Sequence, residues 1–83
     1  VILVRLAHPA AFARRTLHLN PHDGLNLNRV FPGSPTGSQS QRIAHALSAL
    51  IEQADYHIDM HGGDGNELLD AFVGTYGGPL AAT

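Results

Sequence analysis

Two pairs of side chains in this sequence have the type and spacing to do chemistry. The first is Asp59 and His61, within the stretch YHIDMHGG at 56–63. Neutral imidazole is a common zinc ligand, and its second nitrogen usually donates to a carboxylate or carbonyl that fixes the tautomer. Residues two apart on a strand share a face, so Asp59 can hold the His61 ring from behind while His61 binds a metal. The competing reading makes His61 a polar strand-end residue and Asp59 an acceptor for backbone groups. The second pair is Asn28 and Arg29, within DGLNLNRVFPG at 23–33. A guanidinium fork matches a carboxylate bidentately, and a neighbouring amide can hold a second polar group of the same substrate. Here the competing reading pairs Arg29 with Asp23 or a helix carbonyl, and puts Asn28 in the left-handed turn conformation that asparagine tolerates.

The other candidates divide in the same way. His18 and His22 fall in a loop and read as surface residues, while His45 lies beside an apolar stripe and reads as a half-buried structural group. His57, Asp59 and His61 form an H-x-D-x-H pattern, and His61 with Asp64 forms H-x-x-D, each an alternative metal arrangement. Glu67 follows a glycine-rich turn and reads as a helix-start carboxylate, with a general-base role left open. H-x-x-E does not occur in the chain, and there is no cysteine. A disulfide framework and a thiolate metal site are thereby excluded, so any metal must use His, Asp or Glu.

These residues need elements to position them. Val1 to Ala7 is apolar apart from Arg5, as expected of a strand covered on both faces in a parallel sheet, and Pro9 ends it. Residues 9–37 hold four of the five prolines and read as a long functional loop, with a short helical turn near PAAFARR. From Ser38 to Ala54, Ile43, Leu47, Leu50, Ile51 and Ala54 fall on one helical stripe, and Ser38 with Gln41 matches a capping box. Tyr56 to Met60 reads as a second strand, and Ala71 to Tyr76 as a further one. Strand, loop, helix and strand make a βαβ unit with a right-handed crossover, so the expected fold class is α/β. Ligands of such sheets bind beyond the carboxyl ends of the strands, where His61 and the Asn28–Arg29 loop both fall.

Composition narrows the partners. The 83 residues are 43% hydrophobic with a net charge of −2. Neither nucleic acid nor an anionic membrane is the expected partner of such a chain. VILVRLA is too short to cross a bilayer and lacks the form of a signal peptide, so a cytoplasmic location is expected. The first strand is already under way at Val1 and the end is uncapped. Residues 1–83 are therefore expected to be a single partial domain of a longer protein, inert and unstable alone.

Taken in order, HPAAFARRTLHLNPHDGLNLNRVFPG, RIAHAL and ADYHIDMHGG resemble the succinylglutamate desuccinylase/aspartoacylase family of zinc-dependent deacylases, relatives of the zinc carboxypeptidases. The N-R-x-F-P-G segment and the downstream D-x-H carry the resemblance, which runs from about Val1 to Gly63. It implies a βαβ segment of a zinc-carboxypeptidase-like fold, with a mostly parallel or mixed central sheet flanked by helices. It implies His61 as the third zinc ligand, and Asn28 and Arg29 as the groups holding a substrate carboxylate. The implied reaction is zinc-dependent hydrolysis of an amide or ester bond in an N-acyl amino acid or similar small carboxylate. In the family, the first two zinc ligands come from an H-x-x-E motif and the general base is a glutamate. These are expected before Val1 and beyond Thr83. Asn26 stands where the family often has Asp, and His18 about where many members carry a further substrate-binding arginine, with Arg14 and Arg15 nearby but out of register. The alternatives are a non-catalytic α/β domain binding an anion through Arg29, and a metallopeptidase of the carboxypeptidase kind.

Overall fold

A computed structural model describes residues 1–62 and Gly74. Along the described chain run helix α1 (Pro9–Arg14), a 3-10 turn (Leu27–Arg29) and helix α2 (Gln39–Glu52). Helix α1 begins at Pro9, whose fixed φ suits a first turn and whose missing N–H would have had no helical partner there. It ends at Arg15, in the left-handed region at φ 53°. The Arg15 N–H then donates to Phe12 O at 3.2 Å and the Thr16 N–H to Ala11 O at 3.0 Å, so the last carbonyls are satisfied.

Helix α2 follows the apolar periodicity, and its N-terminus carries the expected capping box. In it the Ser38 N–H donates to Gln41 Oε1 at 2.9 Å. The helix stops at Glu52, short of Ala54, where the Gln53 and Ala54 N–H groups bond to Leu50 O and Ile51 O. Its fully covered residues are Ser40 and Ala44, whereas Ile43, Leu47, Leu50 and Ile51 are only half-buried. The reason is that the segment lying against α2 covers its N-terminal half and leaves the stripe's lower end open.

That segment is the supposed loop, and it is built in two closures. The Asn20 N–H donates to Leu25 O and the Gly24 N–H to Asn20 O, both at 2.8 Å, with an isolated antiparallel bridge between Leu19 and Asn26. Farther on, the Ser34 N–H donates to Gln41 O at 3.0 Å and the Ser48 hydroxyl to Pro32 O at 3.1 Å. Between those bonds Gly33 sits at φ 81° against the backbone of α2. A Cβ there would run into Gln41 O and His45 N, so the close approach requires glycine.

The expected βαβ unit is not seen among the described residues. Among the described residues there is no strand: Val1–Ala7 and Tyr56–Met60 form no ladder. A strand exists only through hydrogen bonds to a neighbouring strand, and these two segments do not pair with each other. Their apolar side chains, including Val1, Leu3, Tyr56, Ile58 and Met60, are exposed. The third expected strand, Ala71–Tyr76, lies outside the described residues apart from Gly74. Among the described residues no helix is long and apolar enough to cross a membrane.

Candidate functional site

The Asn28–Arg29 turn is shaped by its own sequence. Asn26 caps it in extended backbone, its Oδ1 accepting from the Asn28 N–H at 2.9 Å. The Arg29 N–H donates to Asn26 O at 2.9 Å, closing the 3-10 turn. Both Asn28 and Arg29 are exposed. The Arg29 Nη1 donates to Asn28 O at 3.1 Å, and among the described residues the guanidinium pairs with no carboxylate.

This geometry meets the competing reading only in part: Arg29 does bond to a carbonyl of the 3-10 turn, that of Asn28, but not to Asp23. Asn28 lies in the 3-10 turn with negative φ, not in the left-handed region. Asp23, the nearest acid in sequence, bonds to α2 instead of to Arg29. Its Oδ2 accepts from the Ser40 N–H at 2.7 Å, and its Oδ1 accepts from the Ser40 hydroxyl at 2.9 Å and the Leu25 N–H at 3.0 Å. Asp23 thus caps α2 from a distance in the chain, satisfying a first-turn N–H that has no helical partner and placing negative charge at the positive end of the helix. Desolvation by partial burial works against the charged carboxylate. The Ser40 N–H, the nearby Ser38 hydroxyl, the Leu25 N–H and the Ser40 hydroxyl outweigh it and hold Asp23 well below the usual carboxylate range.

Beneath Asp23 lies Asn20, whose side chain is fully buried. Its Nδ2 donates to Gln39 Oε1 at 2.9 Å and to Ser40 Oγ at 3.0 Å, while its Oδ1 accepts from the His22 N–H at 2.9 Å. A buried amide must find such partners or cost free energy, so Asn20 fixes the register of 20–25 on α2. The sequence reading missed both Asn20 and the Asp23–Ser40 cap. A capping acid at 23 serving a helix that begins at Gln39 leaves no local spacing signal.

Asp59 and His61 are brought together, with His61 Nε2 and Asp59 Oδ2 at 2.8 Å. Both side chains are more than half exposed, at 57% and 59%, so water screens the pair and it carries little stability. When Nε2 donates to Asp59, Nδ1 is the nitrogen left with a lone pair. No hydrogen bond joins this pair to Asn28 or Arg29 among the described residues. Nor does any group of three His, Asp or Glu among them gather to hold a metal, His57 included. His45, expected to be half-buried, is exposed, because α2 turns Ser40 and Ala44 inward. Asp64 and Glu67 lie outside the described residues.

Comparison with known proteins gives the family. Residues 1–73 match the family profile described as the succinylglutamate desuccinylase/aspartoacylase catalytic domain. A curated relative, the N-alpha-acetyl-L-2,4-diaminobutyric acid deacetylase of Halomonas elongata, is 42% identical over 65 residues. That alignment covers 76% of this chain and only 18% of the relative's length. No solved structure matches. A family match over most of the chain, and a relative this similar across three-quarters of it, lead to one conclusion: the chain belongs to the succinylglutamate desuccinylase/aspartoacylase family.

Proposed function

We propose that this chain supplies part of the active site of a zinc-dependent hydrolase that removes the acyl group from an N-acyl amino acid or a similar small carboxylate. The observation that carries the reading is the open Asn28–Arg29 turn. An amide and a guanidinium stand side by side on an anchored 3-10 turn, exposed and with no acid engaging the arginine among the described residues. Arg29 has the fork to hold a carboxylate through two hydrogen bonds, and Asn28 can take up a neighbouring polar group. The same cation also stabilises negative charge that develops on a substrate held beside it.

The donor chemistry of His61 fits zinc. Its ring is held by Asp59 through Nε2 and keeps Nδ1 for a metal, the arrangement of a ligand oriented by an outer carboxylate. Zinc in such a site polarises a carbonyl and lowers the pKa of bound water. His61 provides one ligand, and the remaining ligands and the general-base glutamate are proposed to lie outside residues 1–83. Val1–Ala7 and Tyr56–Met60 are proposed as strands of a mostly parallel or mixed sheet, a placement supported by their uncovered apolar side chains.

Metal analysis of the full-length protein tests the reading. About one zinc per chain is expected, with loss on His61→Ala. The substrates to screen are N-acetyl-L-2,4-diaminobutyrate, N-succinylglutamate and N-acetylaspartate. Arg29→Ala is expected to raise KM roughly 10- to 150-fold, the span given by about 1.5–3 kcal/mol for a hydrogen bond to a charged group. A folded, zinc-reconstituted protein that neither retains zinc nor hydrolyses any of the three would leave an anion-binding domain as the better description.

A further inference from the structure

The anchoring of the Asn28–Arg29 turn follows a pattern that the exposed pair alone does not explain. The turn makes few bonds of its own, yet it lies between two attachments to α2. On its N-terminal side, Asn20 and Asp23 converge on Ser40, a fully buried residue in the first turn of the helix. On its C-terminal side, Pro32, Gly33 and Ser34 rest on Gln41, Ala44 and Ser48. The second attachment rests on close backbone approach. The first rests on a charge, one serine hydroxyl and one buried amide.

We propose that Asp23, with Asn20, is a positioning residue. The Asp23–Ser40–Asn20 clamp fixes the Asn28–Arg29 turn on α2, so that the guanidinium and the amide meet a substrate carboxylate already oriented. This rests on the substrate-holding role proposed for Arg29. The coupling is short: Asp23 Oδ1 accepts from the Leu25 N–H, the adjoining Asn26 caps the turn, and Asn28 and Arg29 follow. Positioning of this kind acts on binding, so its loss moves KM and leaves the chemical step nearly alone. Ser40 is shared by both clamp residues and lies within the helix, which makes α2 the rigid reference.

The test uses the full-length protein and Asp23→Asn. An amide cannot accept at both positions: wherever its NH2 points, a donor meets the Ser40 N–H or the Leu25 N–H. Two readouts are compared. In hydrogen exchange, segment 25–31 is expected to exchange faster in the variant while 42–50 in α2 keeps its protection. In kinetics with the best substrate of the panel, KM is expected to rise on the order of tenfold, with kcat changed by less than about twofold. A double-mutant cycle then distinguishes positioning from general weakening. With Arg29→Ala already present, Asp23→Asn is expected to add no further rise in KM, because the group it positions is gone. If Asp23→Asn does not fold, Ser40→Ala replaces it, removing the shared hydroxyl and keeping the Asp23 bonds to backbone. Unchanged exchange in 25–31, or a KM effect that adds in full to that of Arg29→Ala, overturns the proposal. If the wild type neither retains zinc nor hydrolyses anything in the panel, the deacylase reading falls and the exchange result alone decides the clamp.

Discussion

Adding one methyl group to Gly33 and one to Gly24 should have unequal consequences, and the difference measures how tightly the turn is seated on α2. Both glycines have positive φ, +81° and +69°. A left-handed residue other than glycine costs roughly 1–2 kcal/mol, and replacing glycine recovers about 0.4–1 kcal/mol by restricting the unfolded chain. Gly24→Ala meets nothing within 4 Å, so its net cost should be about 1 kcal/mol. Gly33→Ala carries the same backbone term, but its Cβ also meets Gln41 O, His45 N and, at 2.9 Å, the Ala44 Cβ. Two of these are main-chain atoms of a helix and cannot turn aside as a side-chain tip can. Overpacking of this kind typically adds 1–3 kcal/mol, so Gly33→Ala should cost roughly 2–4 kcal/mol in all. Against a typical total of about 5–15 kcal/mol, that is a large share. Urea unfolding of the two variants and the wild type, with m-values compared, is the assay. Should the two variants prove equally stable to within about 0.5 kcal/mol, the seating of Gly33 on α2 is wrong, since the backbone term is common to both.

Two smaller perturbations address the turn and its anchor. Asp23 has a folded pKa below its unfolded value, so the folded state binds that proton less readily. Its contribution is therefore complete above about pH 4 and is lost as pH falls toward and through the folded value; urea midpoints taken from pH 6 downward should decline less steeply in Asp23→Asn than in wild type. Asn26→Ala removes the acceptor for the Asn28 N–H, and an N-cap loss of about 1 kcal/mol should appear as roughly fivefold faster exchange of that amide. Asn26→Asp keeps the acceptor and should leave that exchange nearly unchanged.

What could be read from the sequence depended on how far apart the interacting residues lie. Helix α2 was legible because its evidence is local: a 3.6-residue apolar period and a Ser38–Gln41 cap within a single turn. The short helix at PAAFAR was legible from Pro9 and the alanines that follow it. The segment at 9–37 read as a loop and not as structured, since its order comes from Asn20, Asp23 and Gly33 meeting a helix later in the chain. The apolar stripe located the helix without naming its deepest residues. Ser40 and Ala44 are the innermost because Asn20 and Gly33 approach so closely that only small side chains fit. Strands have the opposite difficulty. Apolarity identifies Val1–Ala7 as sheet material, but a ladder needs a second strand beside it, and composition names no partner. At the site, Asn28 with Arg29 and Asp59 with His61 were visible as close pairs, while the capping of α2 by Asp23, which leaves it unpaired with Arg29, was not.

Among the described residues, the bonds that hold the Asn28–Arg29 turn lie between Asn20 and Ser48. Loops of that length close fast compared with the pairing of distant strands. During synthesis, the turn can therefore assemble on α2 as soon as Ser48 has left the ribosome, ahead of any sheet built from Val1–Ala7 and Tyr56–Met60. Folding order would then run from turn to scaffold: the segment carrying Asn28 and Arg29 forms first, and residues 1–7 and 56–60 find their partners later.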